Sequence, residues 1–377
     1  MKLQYLSVLA SAMVMAGSAG AAEVYNKDGN KLDLFGKLNG MRYMSSDDAK
    51  NGDRSFIHYG FNGEAQLSEG ITGFGTWEQE VGLSHAESGG AKSNFTRLGF
   101  AGIKFADAGS IDYGRNYGVL YDVGAWTDMM PEFGADTTVT DNFMTGRANG
   151  VFTYRNTNFF GMVDGLNFAL QYQGKNDTKE DEKGRRGLKG GRGLNEANGD
   201  GYGLSVTYDL GNGVSAGAAY TSSNRTLGQR MLNSARNNKD KRAEAYSLGL
   251  KYDANNLYLA ALYSETRNMT PYGDFSGNKA KHGFADKAHN LELVAQYALD
   301  FGLRPSVGYL QSRIDGDYQG KSQTIKKYIE VGASYNFNKN MLAFIDYRIN
   351  LLSKNDFTRD TQISTDNILA MGMTYMF

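Results

Sequence analysis

Apolar and polar residues alternate singly along most of this chain. In 31–40, Leu32, Leu34 and Leu38 fall on one face, and Asp33, Lys37 and Asn39 on the other. In 57–64, Ile57, Tyr59 and Phe61 oppose His58, Gly60, Asn62 and Glu64. The stretch 94–104 sets Leu98 and Phe100 against Arg97. The same period returns in 167–172, 202–208, 214–220, 245–252, 256–263, 290–297, 303–310, 328–337 and 341–349. Residues two apart share a face of a strand, so each segment predicts a strand with one apolar face and one polar or small face.

The connections fall into two kinds. Those at 68–70, 107–109, 211–213, 253–256, 300–302 and 338–340 are short and turn-like. Those at 175–200, 222–242, 266–287, 314–324 and 352–366 are long, polar and irregular. Between them lie about sixteen strands, with short turns at one end and long loops at the other, the layout of an antiparallel transmembrane β-barrel. Leu369, Met371, Met373, Tyr375 and the terminal Phe377 share one face of the last segment, as in a lipid-facing band edged with aromatics. A closed barrel also satisfies every backbone group within hydrocarbon. A soluble β-sandwich would need a dry core shared by faces that here are persistently charged.

One stretch breaks the alternation. Residues 112–147 show neither helical nor strand period, and so long an irregular loop in a compact fold is usually functional. Its acids Asp128, Glu132, Asp136 and Asp141 interleave with Tyr117, Tyr121, Trp126 and Phe133, and Arg115 and Arg147 near its ends are its basic residues. It reads either as a solvated acidic surface loop or as a loop folded into a cavity that presents carboxylates to whatever passes.

Composition narrows the class. With 24 Tyr, 20 Phe and 48 Gly but 3 Pro in 377 residues, the chain suits a large, tightly turned all-β protein. Lys and Arg total 40 against 41 Asp and Glu, a balance that argues against a nucleic-acid surface. The absence of cysteine excludes disulfides and thiolate metal sites, and no spacing of metal ligands or cofactor motif is present, so no cofactor is expected. Residues 1–21 read as a cleaved signal peptide: Lys2, a short apolar run from Leu6 to Ala16, and the small residues Ala19, Gly20 and Ala21. Residues 22–377 then form one domain, in which no stretch approaches the roughly 18 apolar residues of a transmembrane helix.

AEVYNKDGNKLDLFGK from Ala22, TRLGFAGIKF from Thr96, DYGRNYGV from Asp112, TDMMPEFGAD from Thr127 and KYDANNLYLA from Lys251 resemble the general, non-specific porins of enterobacterial outer membranes. So do YSETRNMTP from Tyr263, FGLRPSVGY from Phe301 and YNFNKNM from Tyr335. The likeness spans essentially the whole chain and is closest to the osmoporin and matrix-porin branch. It implies a homotrimer of sixteen-stranded barrels that passes ions and small hydrophilic solutes, mildly prefers cations and sits in the outer membrane with lipid and lipopolysaccharide. It also implies that the loop at 117–146 folds inward and narrows each pore. By motif, the constriction acids are Asp128, Glu132 and Asp136, and the wall bases are Lys37, Arg97 and Arg147. Asn62, Tyr117 and Tyr121 line the pore, and Glu87 latches onto a neighbouring subunit with Arg115 as partner. Phe377 is the signal read by the outer-membrane barrel assembly machinery.

One position departs from the pattern. The family commonly reads ARLGFKGE where this chain reads IHYGFNGE, so His58 stands for an arginine and Asn62 for a nearby lysine. His58 reads either as a neutral polar residue of the lumen or as a wall charge made titratable, since an unperturbed histidine changes charge near neutrality; the second reading predicts a cation preference that weakens as pH falls through about 6. Other classes find less support. An outer-membrane enzyme would need a nucleophile and a base, yet the chain has the four histidines His58, His85, His282 and His289 and shows no GxSxG context and no acid dyad with a histidine beside it. An adhesin would draw on the basic run Lys183, Arg185, Arg186, Lys189 and Arg192, which reads as solvated or as touching lipopolysaccharide phosphates. A substrate-specific channel would need a long aromatic slide, and none is evident.

Overall fold

The structure is a computed structural model, and it describes residues 22–89, 94–177, 179–180, 186–187, 192–232, 241–275, 281–318 and 320–377. The predicted signal peptide and Lys183, Arg185 and Lys189 lie outside these. Sixteen strands make the wall. They are β1 (Asn30–Ser45), β2 (Phe56–Ser68), β3 (Ile71–Gly82), β4 (Asn94–Phe105), β5 (Ser110–Tyr117), β6 (Arg147–Asn156), β7 (Leu166–Gln173) and β8 (Gly201–Gly211). Then follow β9 (Val214–Asn224), β10 (Arg242–Ala254), β11 (Leu257–Arg267), β12 (Lys287–Tyr297), β13 (Leu303–Tyr318), β14 (Lys321–Asn336), β15 (Met341–Asn350) and β16 (Ile368–Met376).

Each strand pairs antiparallel with the next, and β16 returns to β1 from Lys37↔Met376 to Ser45↔Ile368, which closes the barrel. A further strand, Ala22–Lys27, pairs with Asn30–Leu34 on the edge of β1 that β16 leaves open. At the junction Gly36 and Phe377 exchange backbone hydrogen bonds of 2.9 and 3.0 Å. No edge of the ring therefore stays unpaired in hydrocarbon.

The side chains show which face meets which medium. Along β12, Asn290, Glu292 and Gln296 are buried while Leu291, Leu293 and Tyr297 are exposed; Glu292 is 2% accessible and Leu293 41%. That inversion of the usual soluble pattern excludes the β-sandwich, because the apolar stripe faces away from the protein. On β8 the exposed Tyr202, Leu204, Val206 and Tyr208 run in line. At about 3.3 Å per residue the two tyrosines lie roughly 20 Å apart, so rings bracket an aliphatic band.

Two readings need correction. Residues 314–324 are not an irregular loop: β13 and β14 extend through them as a hairpin. Register shifts at Ser312/Arg313 and Ile314/Tyr318 interrupt the period of two and hid the strands from the sequence pattern. On β4, Gln79 pairs with Thr96 and Glu78 with Leu98, which leaves Arg97 as the extra residue of a bulge. Leu98 and Phe100 therefore share the inner face with Thr76 and Glu78, and it is the bulge, not the alternation, that turns Arg97 inward.

Candidate functional site: the constricted lumen

The stretch from 118 to 146 folds inside the barrel, which decides between the two readings of the loop. Asp112–Tyr117 belongs to β5, and a helical turn, Tyr121–Gly124, interrupts the loop. Ordering some thirty residues costs about 1–2 kcal/mol of backbone entropy each, whereas one hydrogen bond returns on the order of 1 kcal/mol net. A single latch cannot hold such a loop, and the wall supplies a series of them.

The series runs round the ring in chain order. Gln171 on β7 accepts from the Val119 N–H (3.1 Å) and donates to the Tyr117 carbonyl (2.9 Å). Asp122 takes Arg155 of β6 at 2.9 Å on both oxygens and the Ser205 hydroxyl of β8 at 2.6 Å. Val123 and Trp126 seat on Gly217 and Gly249, where an added Cβ would lie 2.8 Å from Trp126 and 2.4 Å from Val123. The Tyr258 hydroxyl on β11 donates to the Trp126 carbonyl (2.7 Å). On β12, Glu292 accepts from the Thr127 hydroxyl and from the Thr137 N–H (3.2 Å) and hydroxyl (2.5 Å). Gln296 donates to the Met129 carbonyl. Asp346 on β15 accepts from the backbone N–H groups of Glu132 and Phe133, both at 3.1 Å. The loop thus follows the inner wall from β6 to β15, and the Tyr43 hydroxyl on β1 meets Glu132 at 2.5 Å.

The sector left uncovered, β1 to β6, carries the expected bases. Lys37 lies 5.3 Å above the Phe56 ring, and Arg147 lies 5.9 Å from the Tyr117 ring. Tyr117 and Tyr121 stack at 4.4 Å, and the Tyr121 hydroxyl donates to Asp128 at 2.5 Å. Burial, followed by the Asp128 carboxylate, holds that hydroxyl well above the usual tyrosine range, so it remains a donor. A cavity of about 350 Å³ brings Asp128 and Asp136 together with Arg147 and Lys326. Asn62 faces the lumen and accepts from Thr76 at 2.9 Å.

The three loop acids differ. Burial raises Glu132 above the ordinary carboxylate range. Burial would also raise Asp136, but Lys326, Arg348 (3.1 Å) and the Tyr328 hydroxyl (2.9 Å) together hold it below that range. The expected pore acid Asp136 is thus also an anchor. Among the described residues the Asp128 carboxylate has the Tyr121 hydroxyl as its one side-chain partner.

His58 is not the solvated ring that the titratable reading requires. It is buried, with Nε2 2.6 Å from Glu80 Oε2 and Nδ1 3.9 Å from Glu78, so any proton it takes is shared with a carboxylate. Arg97 contacts both acids, with Nε on Glu78 and Nη1 3.2 Å from Glu80. The sequence reading missed Glu78 and Glu80, although period two in FGTWEQE puts both on one face with Thr76.

The latch pair is not joined within one chain. Glu87 is exposed in a short 3₁₀ turn. Arg115 lies on the outer face of β5 with Tyr113, and its fork takes Asp141 of the chain's own loop at 2.7 and 3.0 Å, which ties the loop's root to the wall. Among the basic run, Arg192 reaches the Glu196 carbonyl at 2.9 Å.

The family model described as Gram-negative porin matches residues 27–377. Outer membrane protein F of Serratia marcescens is 55% identical over 387 residues, and outer membrane porin C of Salmonella typhimurium 55% over 386; each alignment covers all of both chains. The solved Salmonella typhi OmpF in complex with daunomycin superposes with a TM-score of 0.83 at 45% identity, covering 94% of this chain and 100% of that one.

Proposed function

The chain belongs to the Gram-negative porin family, and from that premise we propose that the gap between its inward loop and the β1–β6 wall sieves solutes by size and by a transverse charge field. It is a pore of the outer membrane for passive diffusion and not an enzyme. One observation supports the finer reading: the loop acids Asp128 and Glu132 are tethered by hydroxyls while Lys37 and Arg147 stand on the wall sector that the loop leaves open. Low-dielectric walls focus the field between unneutralised groups of opposite sign. Small hydrated solutes with dipoles align in that field and cross, whereas bulky or apolar ones lose hydration without compensation. The outcome is a mild preference for cations.

The working assembly is a homotrimer, with the exposed Glu87 reaching a neighbour's wall near Arg115. Residues 1–21 are removed on export, the barrel assembly machinery reads Phe377, and lipopolysaccharide surrounds the long-loop rim. Swelling of liposomes carrying the protein in sugars of graded size tests the sieve. Rates that fall steeply from mono- to trisaccharides support it, and rates independent of sugar size refute it.

A further inference from the structure

The uncovered wall is less basic than its arginine and lysines suggest. Lys37, His58 and Glu80 stand side by side as direct ladder partners across β1, β2 and β3. Arg97, turned inward by its bulge, reaches over that row to Glu78 and Glu80. The charges of this cluster on β1 to β4 are then Lys37 and Arg97 against Glu78 and Glu80, and they cancel, while Arg147 on β6 stands outside it. Phe56 packs its ring 4.4 Å from that of His58 beneath Lys37, so the row is held on its β1–β2 side. The two acids are not equivalent. Glu78 holds the Arg97 Nε, whereas Glu80 uses one oxygen, Oε2, for both His58 and Arg97. Its Oε1 takes no partner among the described residues, and its side chain is 21% exposed against 15% for Glu78.

We infer that Glu80 is a selectivity-determining residue of this pore: a carboxylate on the wall opposite the loop, clamped by His58 and Arg97 with one oxygen turned to the passing ions. The inference rests on the pore reading above and adds to it that the cation preference comes from both sides of the gap. His58 serves as a positioning residue. An arginine there would add a fixed positive charge beside Glu80, whereas the imidazole orients the carboxylate without requiring one.

The test exploits a chain without cysteine. The full-length Glu80→Cys protein carries a single thiol and is held in a planar bilayer under a KCl gradient, and the ratio of potassium to chloride permeability is read before and after modification. Relative to the native protein, the ratio falls by about twofold or more, as expected for loss of one charge in a narrow low-dielectric gap. An anionic methanethiosulfonate added to the open channel raises it again, and a cationic one lowers it further. Because each channel is its own control, misfolding cannot imitate the pattern. His58→Arg is the second arm, and it lowers the ratio in an otherwise native protein. The inference is overturned if reagents of opposite sign have the same effect, if the thiol does not react, or if His58→Arg leaves the ratio unchanged. A native protein that forms no ion-conducting channel would instead refute the pore reading itself.

Discussion

Asp346 on β15 and Glu132 on the inward loop are joined through the Glu132 backbone N–H, 3.1 Å from the Asp346 carboxylate, which accepts the Phe133 N–H as well. Glu132 is thereby held by its backbone while its side chain stays directed at Tyr43 on the opposite side of the closure. Removing the acceptor in Asp346→Ala strands two buried donors at a cost of about 1–3 kcal/mol each. The expected result is a larger and noisier single-channel conductance together with faster entry of trisaccharides in liposome swelling. Asp346→Asn, which keeps one carbonyl acceptor, should show a smaller change in both.

Gly249 supplies the floor on which the loop's helical turn sits. An alanine Cβ there would lie 2.4 Å from Val123 Cγ1 and 3.0 Å from the Trp126 ring, so these packed side chains would have to shift. Overpacking of this kind costs about 1–3 kcal/mol. Gly249→Ala should lift the turn, and the emission of Trp126 should shift to the red as water reaches it. Gly40, where an added Cβ meets nothing within 4 Å, provides the control: Gly40→Ala should leave the emission unchanged.

The unequal loop acids predict a two-stage pH response. Glu132 titrates above the ordinary glutamate value of 4.5, so on acidification it loses its charge before a solvated carboxylate would. Asp136 is held below 3.8 and keeps its charge after Glu132 has lost its own. Cation preference, followed as reversal potential in a salt gradient from pH 7 to pH 4, should therefore drop first at a pH above 4.5 and retain a residue at pH 4. Glu132→Gln should abolish the first drop. An unaltered titration in that protein would assign the drop to another group.

Phe377 and Gly36 join the two ends of the barrel. Their paired backbone bonds carry the ladder from β16 to the strand at Ala22–Lys27, and the Phe377 ring covers the place where a Gly36 Cβ would stand, 2.4 Å from Cζ. Gly36→Ala should lower the temperature at which the assembled protein dissociates in detergent by several degrees, because ring and backbone cannot both keep their places. Deletion of Phe377 should lower the yield of assembled protein in the outer membrane and leave synthesis unaffected.

The fold was largely legible because period two records the pleat directly, and an inside-out pattern such as that of β12 survives at the level of single residues. Arg97 shows where this fails. A one-residue bulge reverses the face without leaving a mark in the alternation, so the inward placement of Arg97 was expected from its motif, and Leu98 was put on the wrong side. Glu78 and Glu80 were readable by the same rule and were passed over in a glycine-rich strand whose outer face has few large apolar residues. The loop's anchors were not readable at all. Asp346 and Glu132 are 214 positions apart, and no local pattern joins a buried strand acid to a backbone N–H on a loop so distant in the chain. His58 stood out in the sequence by its motif, but its partner Glu80 on the next strand was not readable from that motif.

A planar-bilayer recording of the full-length protein under a KCl gradient tests the central claim most directly, since it reads channel number, aperture and charge at once. Insertion should raise the conductance in groups of three equal steps, with a reversal potential of the sign that favours potassium. Single isolated steps with no selectivity, or a membrane that stays silent, would contradict a trimer of water-filled barrels constricted by an acidic inward loop.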